Sequence, residues 1–302
     1  MPELVLVAVA GFAAALVDGA LGMGFGPTSS SILLAAGVSP AAASTTVNLA
    51  KVVTGLASGA SHWRLGNVDR PLVLRLALPG AVGALVGTLV LVNVDGDQLR
   101  PYLAVVLLLV GLRILLRFSR PLPTQPDREL QVGDDELPPF TPKGVEVAAA
   151  AGGITNGLVG AWGPVVTPYL LHRGLLPRFA VGSVNTAEVA VAVVASGSLV
   201  GSLGGEGLRL GVLGAMLAGG LAAAPIAAHV VRYLPARALG LAVSGLLLVT
   251  QTRELAAAAE LGPERWVAYG VIPLALALAA LRPRLARRSP VGRGPSLAGE
   301  RS

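Results

Sequence analysis

Cysteine is absent from this chain, and charged side chains are scarce. The first absence excludes disulfides, thiolate metal sites and sulfur-relay chemistry. Charged residues make up 13% of the sequence, against about 25% in an average soluble domain, too few to clothe a water-soluble globule. Aromatic residues are only 4%. The opening Met1-Pro2-Glu3 lacks the basic segment of a cleavable signal peptide, so the first hydrophobic stretch is expected to belong to the mature protein. The histidines His62, His172 and His229 fall near predicted helix ends and form no metal-ligand cluster. No nucleophile elbow, phosphate-binding Walker loop or His-Glu-x-x-His zinc motif occurs. Neither a metal nor a cofactor is expected, and an ATP-driven pump would need a partner chain.

What is present is apolar surface. Hydrophobic residues are 53% of the chain. The runs Leu4–Val17, Leu72–Val94, Tyr102–Leu116, Leu208–Val231 and Val267–Leu281 approach or reach the roughly 20 residues that cross a bilayer. Abundant Gly and Ala let membrane helices approach closely where lipid gives no hydrophobic drive for association. The fold class is all-α, a polytopic membrane protein. The net charge of +6 comes from arginines beside membrane segments, so it points to lipid contact and not to nucleic acid.

The chain also repeats itself. Gly22-Met-Gly24-Phe-Gly26-Pro27, Leu33-Leu34, Gly37, Pro40 and Val47-Asn48 are echoed by Val159-Gly160-Ala-Trp-Gly163-Pro164, Leu170-Leu171, Gly174, Pro177 and Val184-Asn185. From Gly26 onward each pair is separated by the same 137 positions without a gap. Such an echo in an apolar chain marks a duplicated transporter whose site lies where the copies meet.

The expected organisation is a membrane repeat over 1–118, a cytoplasmic linker over 119–143, a second repeat over 144–256, a final helix over 265–282 and a tail over 283–302. The linker is rich in Pro and carries Asp134-Asp135-Glu136; the tail is rich in Arg, Pro, Gly and Ser, and disorder is expected there. Positive charge assigns the sides. The stretch His62–Arg75, the linker, the stretch His229–Arg237 and the tail read as cytoplasmic, whereas Asp95–Arg100, Gly204–Leu208 and Arg253–Arg265 read as external. The N-terminus is then outside and the C-terminus inside. Equivalent positions fall on opposite sides: Arg64 and Asp69 correspond to Gly201 and Glu206, and Asp97 to Leu234. The repeats are therefore expected to be inverted, each with an odd number of crossings.

Each repeat opens on a break. Gly19, Gly22, Gly24 and Gly26 with Pro27 interrupt the first copy, and Gly152, Gly153, Gly157, Gly160 and Gly163 with Pro164 interrupt the second. The piece from Phe25 to Ala36 is too short to span and reads as a half-helix or re-entrant limb. Irregular backbone at membrane depth is tolerated only when buried in protein or lining a cavity. A Gly-Pro helix start also exposes unpaired N–H donors that favour anions. Tight helix packing is the competing explanation for the glycines.

Among side chains, Asn48 and Asn185 sit inside apolar helices and recur after hydroxyl residues, as Thr46-Val-Asn48 and Ser183-Val-Asn185, with Thr45 three residues before Asn48. They are suited to donate to an oxyanion or to bond between helices. Lys51 and Glu188 are equivalent positions of opposite charge. Either they form an ion pair joining the repeats, or Lys51 meets substrate charge and Glu188 couples a proton. Asp18 is suited to cap the broken helix or relay protons, and its counterpart Thr155 and the following Asn156 are both suited to capping.

At these residues the chain resembles the TauE/SafE sulfite exporter family of bacterial inner-membrane permeases. The family's glycine-rich break resembles Gly19-Ala-Leu-Gly22-Met-Gly24-Phe-Gly26, its Thr-Ser pair Thr45-Thr46, and its Gly-x-Val-Asp turn Gly66-Asn-Val68-Asp69. The family's later proline is missing at Ser31 and present at Pro168, while Phe25 and Trp162 put rings in place of the middle glycine. The resemblance implies transport, without ATP, of small sulfur-containing anions such as sulfite, sulfoacetate or other organosulfonates.

The expectation is thus a secondary anion transporter in a bacterial inner membrane, working by alternating access and exporting its substrate. Moving one negative charge outward gains about 2.3 kcal/mol per 100 mV of membrane potential. The anion is expected against Gly22, Gly24, Gly26, Gly160 and Gly163, with Thr45, Thr46, Asn48, Ser183 and Asn185 completing its shell. Asp18, Lys51 and Glu188 are the candidates for charge or proton coupling. The expected partners are that small anionic substrate and the lipid bilayer, with a homo-oligomer left open. A non-transporting membrane assembly factor or scaffold, and more remotely a membrane-embedded enzyme, are the rivals.

Overall fold

The computed structural model describes residues 2–21, 23–119, 140, 142–203, 210–230, 236–262 and 265–286. Among these, every regular element is an α-helix. They are α1 (Pro2–Leu21), α2 (Phe25–Ala35), α3 (Pro40–Arg64), α4 (Arg70–Asn93), α5 (Gly96–Ser119), α6 (Val145–Val159), α7 (Gly163–His172), α8 (Pro177–Leu203), α9 (Leu210–Val230), α10 (Ala236–Ala258) and α11 (Arg265–Ala286). Most of the polar interval after Ser119 and the tail from 287 lie outside the described residues. So do residues 204–209 and the turn between α9 and α10, on which the reading of sides partly rests. Three helices, Arg70–Asn93, Gly96–Ser119 and Arg178–Leu203, are long and apolar enough by composition to cross a membrane.

Helices α1 to α5 correspond in order to α6 to α10, and α11 has no counterpart. The shared turn after each half-helix shows why the sequence echoes. Gly37 and Gly174 both adopt positive φ, 84° and 92°, a conformation that glycine enters without a Cβ penalty. Each turn closes with matching bonds: Val38 N donates to Leu33 O at 3.0 Å, and Leu175 N to Leu170 O at 3.1 Å. The chain thereby reverses from α2 into α3 and from α7 into α8. At the head of α3, Ser39 accepts from Ala42 N and Pro40 occupies the first turn, where its missing N–H matters least.

Contacts between helices fix their directions. On α3 and α8, Gly55 meets Val189 and Gly59 meets Thr186, and beyond the end of α3 the turn residue Asn67 meets Gly182, so these equivalent helices run antiparallel. Helices α5 and α10 do the same, with Gly111 against Leu247 and Gly240 against Phe118. Two equivalent helices that pack antiparallel are related by a two-fold axis across them, which is the geometry of an inverted repeat. Helix α4 runs beside α6 in the same sense, Gly80 against Gly153 and Gly87 against Ile154. It runs beside α8 in the same sense too, Gly80 against Val191 and Thr88 against Ser198. Helices α6 and α8 therefore point the same way, and the short α7 between them must turn back. By equivalence α1 and α2 form the other re-entrant hairpin, with α1 beside α9 through Gly11 and Met216.

The helices meet at backbone distance where small residues line up. A Cβ on Gly83 or Gly87 would overlap the carbonyl of Ala150 or Ile154. In lipid such close approach replaces the hydrophobic drive that water would supply. One buried cluster joins α1, α2, α3, α5, α9 and α10 around Leu33, Val47, Leu107, Met216 and Leu247. A second joins α4, α6, α7 and α8 around Leu76, Trp162, Val166 and Val184. Each mixes helices from both halves, so neither half has a closed core of its own.

Candidate functional site

The two hairpin tips meet each other at the crossing of α3 and α8. A Cβ on Gly26 would overlap the Gly160 carbonyl and would sit 3.2 Å from Lys51 Nζ. Gly160 ends α6 at φ 69°, accepting the left-handed conformation that terminates a helix. Its N–H donates to Asn156 O at 2.8 Å, and its own carbonyl turns toward Lys51.

Lys51 lies at the centre of a polar knot inside apolar helices. Its ammonium donates to Asn156 Oδ1 at 2.8 Å and to Gly160 O at 2.7 Å, and it pairs with the Glu188 carboxylate. The two side chains of the pair are 6% and 16% exposed, so little water competes. Since Lys51 and Glu188 are equivalent positions, their contact lies close to the two-fold axis. The knot extends through a reciprocal amide contact: Asn156 Nδ2 donates to Asn48 Oδ1 at 2.7 Å. Asn48 Nδ2 in turn faces Ser44 O at 3.0 Å and Asn156 O at 3.3 Å. Ser44 Oγ donates to Gly157 O at 2.6 Å. Desolvated polar groups are stable only when paired in this way.

On the other side of the knot, Asp18 Oδ1 accepts the N–H of Gly24 at 2.9 Å and of Phe25 at 3.1 Å. A carboxylate thus sits on the free donors at the head of α2, where the helix end carries partial positive charge. A narrow cavity of about 10 Å³ opens between these groups, lined by Asp18, Met23, Phe25, Gly26, Lys51, Gly160, Gly163, Pro164 and Glu188. That is room for about one water molecule.

Of the residues singled out by sequence, Gly26, Gly160, Gly163, Asp18, Lys51 and Glu188 are brought together around this cavity. Gly24 is one step away, donating to Asp18, and Gly22 lies outside the described residues. The others do not line it. Thr45 and Thr46 donate to the carbonyls of Ala41 and Ala42 in their own helix. Asn48 reaches Lys51 only through Asn156. Asn185 donates to Ser58 Oγ at 3.1 Å further along the α3–α8 seam. Ser183 Oγ accepts Asp69 N at 3.0 Å and anchors the turn into α4.

Asn156 was seen from sequence only as a capping residue. Its counterpart by the 137-position offset is Gly19, so the echo gave no sign of it; an amide inside an apolar helix was the available signal. The two rings also part company. Phe25 faces the cavity, whereas Trp162 is fully buried against Gly80 and Gly152 and donates Nε1 to Val184 O at 3.1 Å.

Fold and site together define a polytopic helical membrane protein with charged groups held on its internal two-fold axis. The family model described as sulfite exporter TauE/SafE matches residues 7–253. A relative named probable membrane transporter protein YtnM, from Bacillus subtilis (strain 168), is 40% identical over 257 residues, covering 84% of this chain and 83% of the relative. No solved structure matches the chain. The chain belongs to the sulfite exporter TauE/SafE family, and it is a membrane transporter.

Proposed function

We propose that this protein carries small sulfur-containing anions, such as sulfite, sulfoacetate or another organosulfonate, outward across a bacterial inner membrane by alternating access. The observation that carries the reading is the Lys51 cavity, where the two equivalent glycines Gly26 and Gly163 and a buried cation converge on the axis between inverted halves. A compact oxyanion suits such a place: backbone donors and one ammonium satisfy several oxygens without a large pocket. Membership of a family described as sulfite exporters supports sulfur as the central atom.

In this reading 1–118 and 144–256 are the two moving membrane repeats, 119–143 is their cytoplasmic linker, 265–282 is a final membrane helix and 283–302 is a cytoplasmic tail. The N-terminus is outside. With α1–α2 and α6–α7 as re-entrant hairpins, each repeat crosses three times, and the alternation of sides that this gives supports the assignment from positive charge. The narrow cavity admits an anion when α3 and α8 shift along their small-residue seam, opening the tips to one side and then to the other. Asn48 supports Lys51 through Asn156. Asn185 ties α8 to α3 through Ser58, and Thr45, Thr46, Ser183 and Asn185 complete the anion's shell in the opened forms.

The test is direct. The purified chain is screened by thermal shift with sulfite, sulfate, thiosulfate and sulfoacetate, and flux of any stabilising anion is then measured in proteoliposomes with wild type and Lys51→Gln. Stabilisation by a sulfur oxyanion and flux lost in Lys51→Gln are expected. Undiminished flux in that variant rejects the site.

A further inference from the structure

The cavity already holds an anion, in the form of a side chain. An ammonium has three N–H donors, and three oxygens take those of Lys51: Asn156 Oδ1, Gly160 O and a Glu188 carboxylate oxygen. Only the last carries charge. An incoming anion that reaches Lys51 therefore has one exchangeable partner to displace. We propose that the transported anion takes the place of Glu188 on Lys51, and that Glu188 binds one proton as it leaves, so that anion and proton are carried together. This deepens the transport reading above and rests on it.

Counting charge supports the exchange. The charged groups facing Glu188 are Lys51 from α3 and Asp18 from α1, both lining the same cavity. Helix α2 brings Phe25 and Gly26, α6 brings Asn156 and Gly160, and α7 brings Gly163 and Pro164, all uncharged. Helix α4 packs on α8 as well, but its Arg70 lies over the Trp63 ring and its Arg75 faces Glu146. One cation and two carboxylates give the resting cavity a formal charge of −1. A monoanion would raise this to −2 in a space that holds about one water, where charges are poorly screened. One proton on a carboxylate restores −1. Asp18 is engaged by the Gly24 and Phe25 N–H groups at the head of α2, so Glu188 is the carboxylate set free.

The step balances. The Glu188–Lys51 ion pair breaks, an anion–Lys51 pair forms, and a proton from the same aqueous side forms an O–H bond on Glu188. On the far side the anion and the proton leave, and the internal pair closes again. That closed pair is the state the structure shows, and it returns the empty carrier without charge exposed to lipid. A monoanion then moves as a neutral pair with its proton, whereas sulfoacetate, a dianion at neutral pH, moves with one net negative charge. For a monoanion the membrane potential adds nothing and the anion's own outward gradient drives export; for a dianion the potential still acts on one net charge.

The test uses the full chain with sulfoacetate as probe. In weakly buffered detergent solution, wild type should take up one proton for each sulfoacetate bound. The bound form holds the extra proton, so affinity should fall about tenfold for each unit of rising pH while Glu188 is ionised in the empty protein. Glu188→Gln cannot ionise and should bind sulfoacetate with no proton uptake and no pH dependence. In proteoliposomes, an outward sulfoacetate gradient should make the lumen of wild-type vesicles alkaline. Sulfoacetate binding to wild type without proton uptake overturns the proposal and leaves the transport reading standing. Proton uptake that persists in Glu188→Gln overturns the assignment to Glu188. Failure of wild type to bind sulfoacetate overturns the organosulfonate reading and this proposal with it. The wild-type measurement decides even if the variant does not fold.

Discussion

Replacing Lys51 by Met tests whether the buried pair holds the fold, the function or both. The substitution leaves the Glu188 carboxylate, with its side chain 16% exposed, without its cation. It also takes the donor from Asn156 Oδ1 and one donor from Gly160 O. Breaking a buried pair from one side costs about 3–5 kcal/mol, most of it the stranded charge. Removing both charges in Lys51→Met/Glu188→Leu leaves no ion to strand, and apolar replacements of buried pairs are often neutral or stabilising. Gly160 O retains the Trp162 N–H at 3.2 Å, so Asn156 Oδ1 is the main orphan, worth about 1–3 kcal/mol. The double variant should therefore recover about 2–3 kcal/mol over the single one. Unfolding in mixed detergent would read the stabilities, and proteoliposomes the flux of sulfite and sulfoacetate. Both variants should be inactive. A double variant as unstable as Lys51→Met would refute the energetic argument, and one that transports at the wild-type rate would refute the functional one.

Other consequences follow from single contacts. Gly26→Ala places a Cβ into the Gly160 carbonyl, backbone against backbone, and should lower stability by about 1–3 kcal/mol while abolishing flux; unchanged melting would mean the tips do not touch. Because the chain has no cysteine, Ser58→Cys/Asn185→Cys offers a specific cross-link across the α3–α8 seam. A short thiol cross-linker should arrest flux and a cleaving reductant should restore it, whereas full flux in the locked protein would exclude movement along that seam. Asp69→Ala removes the side-chain cap that accepts Leu72 N at 3.1 Å, and should cost about 1 kcal/mol in thermal unfolding with flux preserved. Loss of flux at normal stability would give Asp69 a role beyond capping.

The sequence carried the fold further than the site. The fixed offset of 137 positions placed both half-helices and their positive-φ turns, because Leu-Leu-x-x-Gly and Gly-Pro encode a helix stop and a helix start locally. Inversion, expected from the charge pattern at Arg64, Asp69, Asp97 and their counterparts, is shown by the antiparallel packing of α3 on α8 and of α5 on α10. Lys51 with Glu188 was one of two open readings because opposite charges at equivalent positions meet only if they lie on the axis, and no offset says which face of a helix does. Asn156 stayed hidden for the opposite reason. It acts across the repeats on Asn48 and Lys51, and its counterpart Gly19 has no side chain to echo it. The different fates of Phe25 and Trp162 depend on how closely α4 approaches α6, which is set by packing between halves and not by either local motif.

The measurement that bears most directly on the account is a structure of the full chain with sulfoacetate bound. The account predicts the sulfonate within hydrogen-bond reach of Lys51 Nζ and the Gly26 and Gly163 backbone, with Glu188 turned away from the ammonium. Sulfoacetate bound elsewhere in the protein, or bound while Lys51 and Glu188 stay paired, would contradict it.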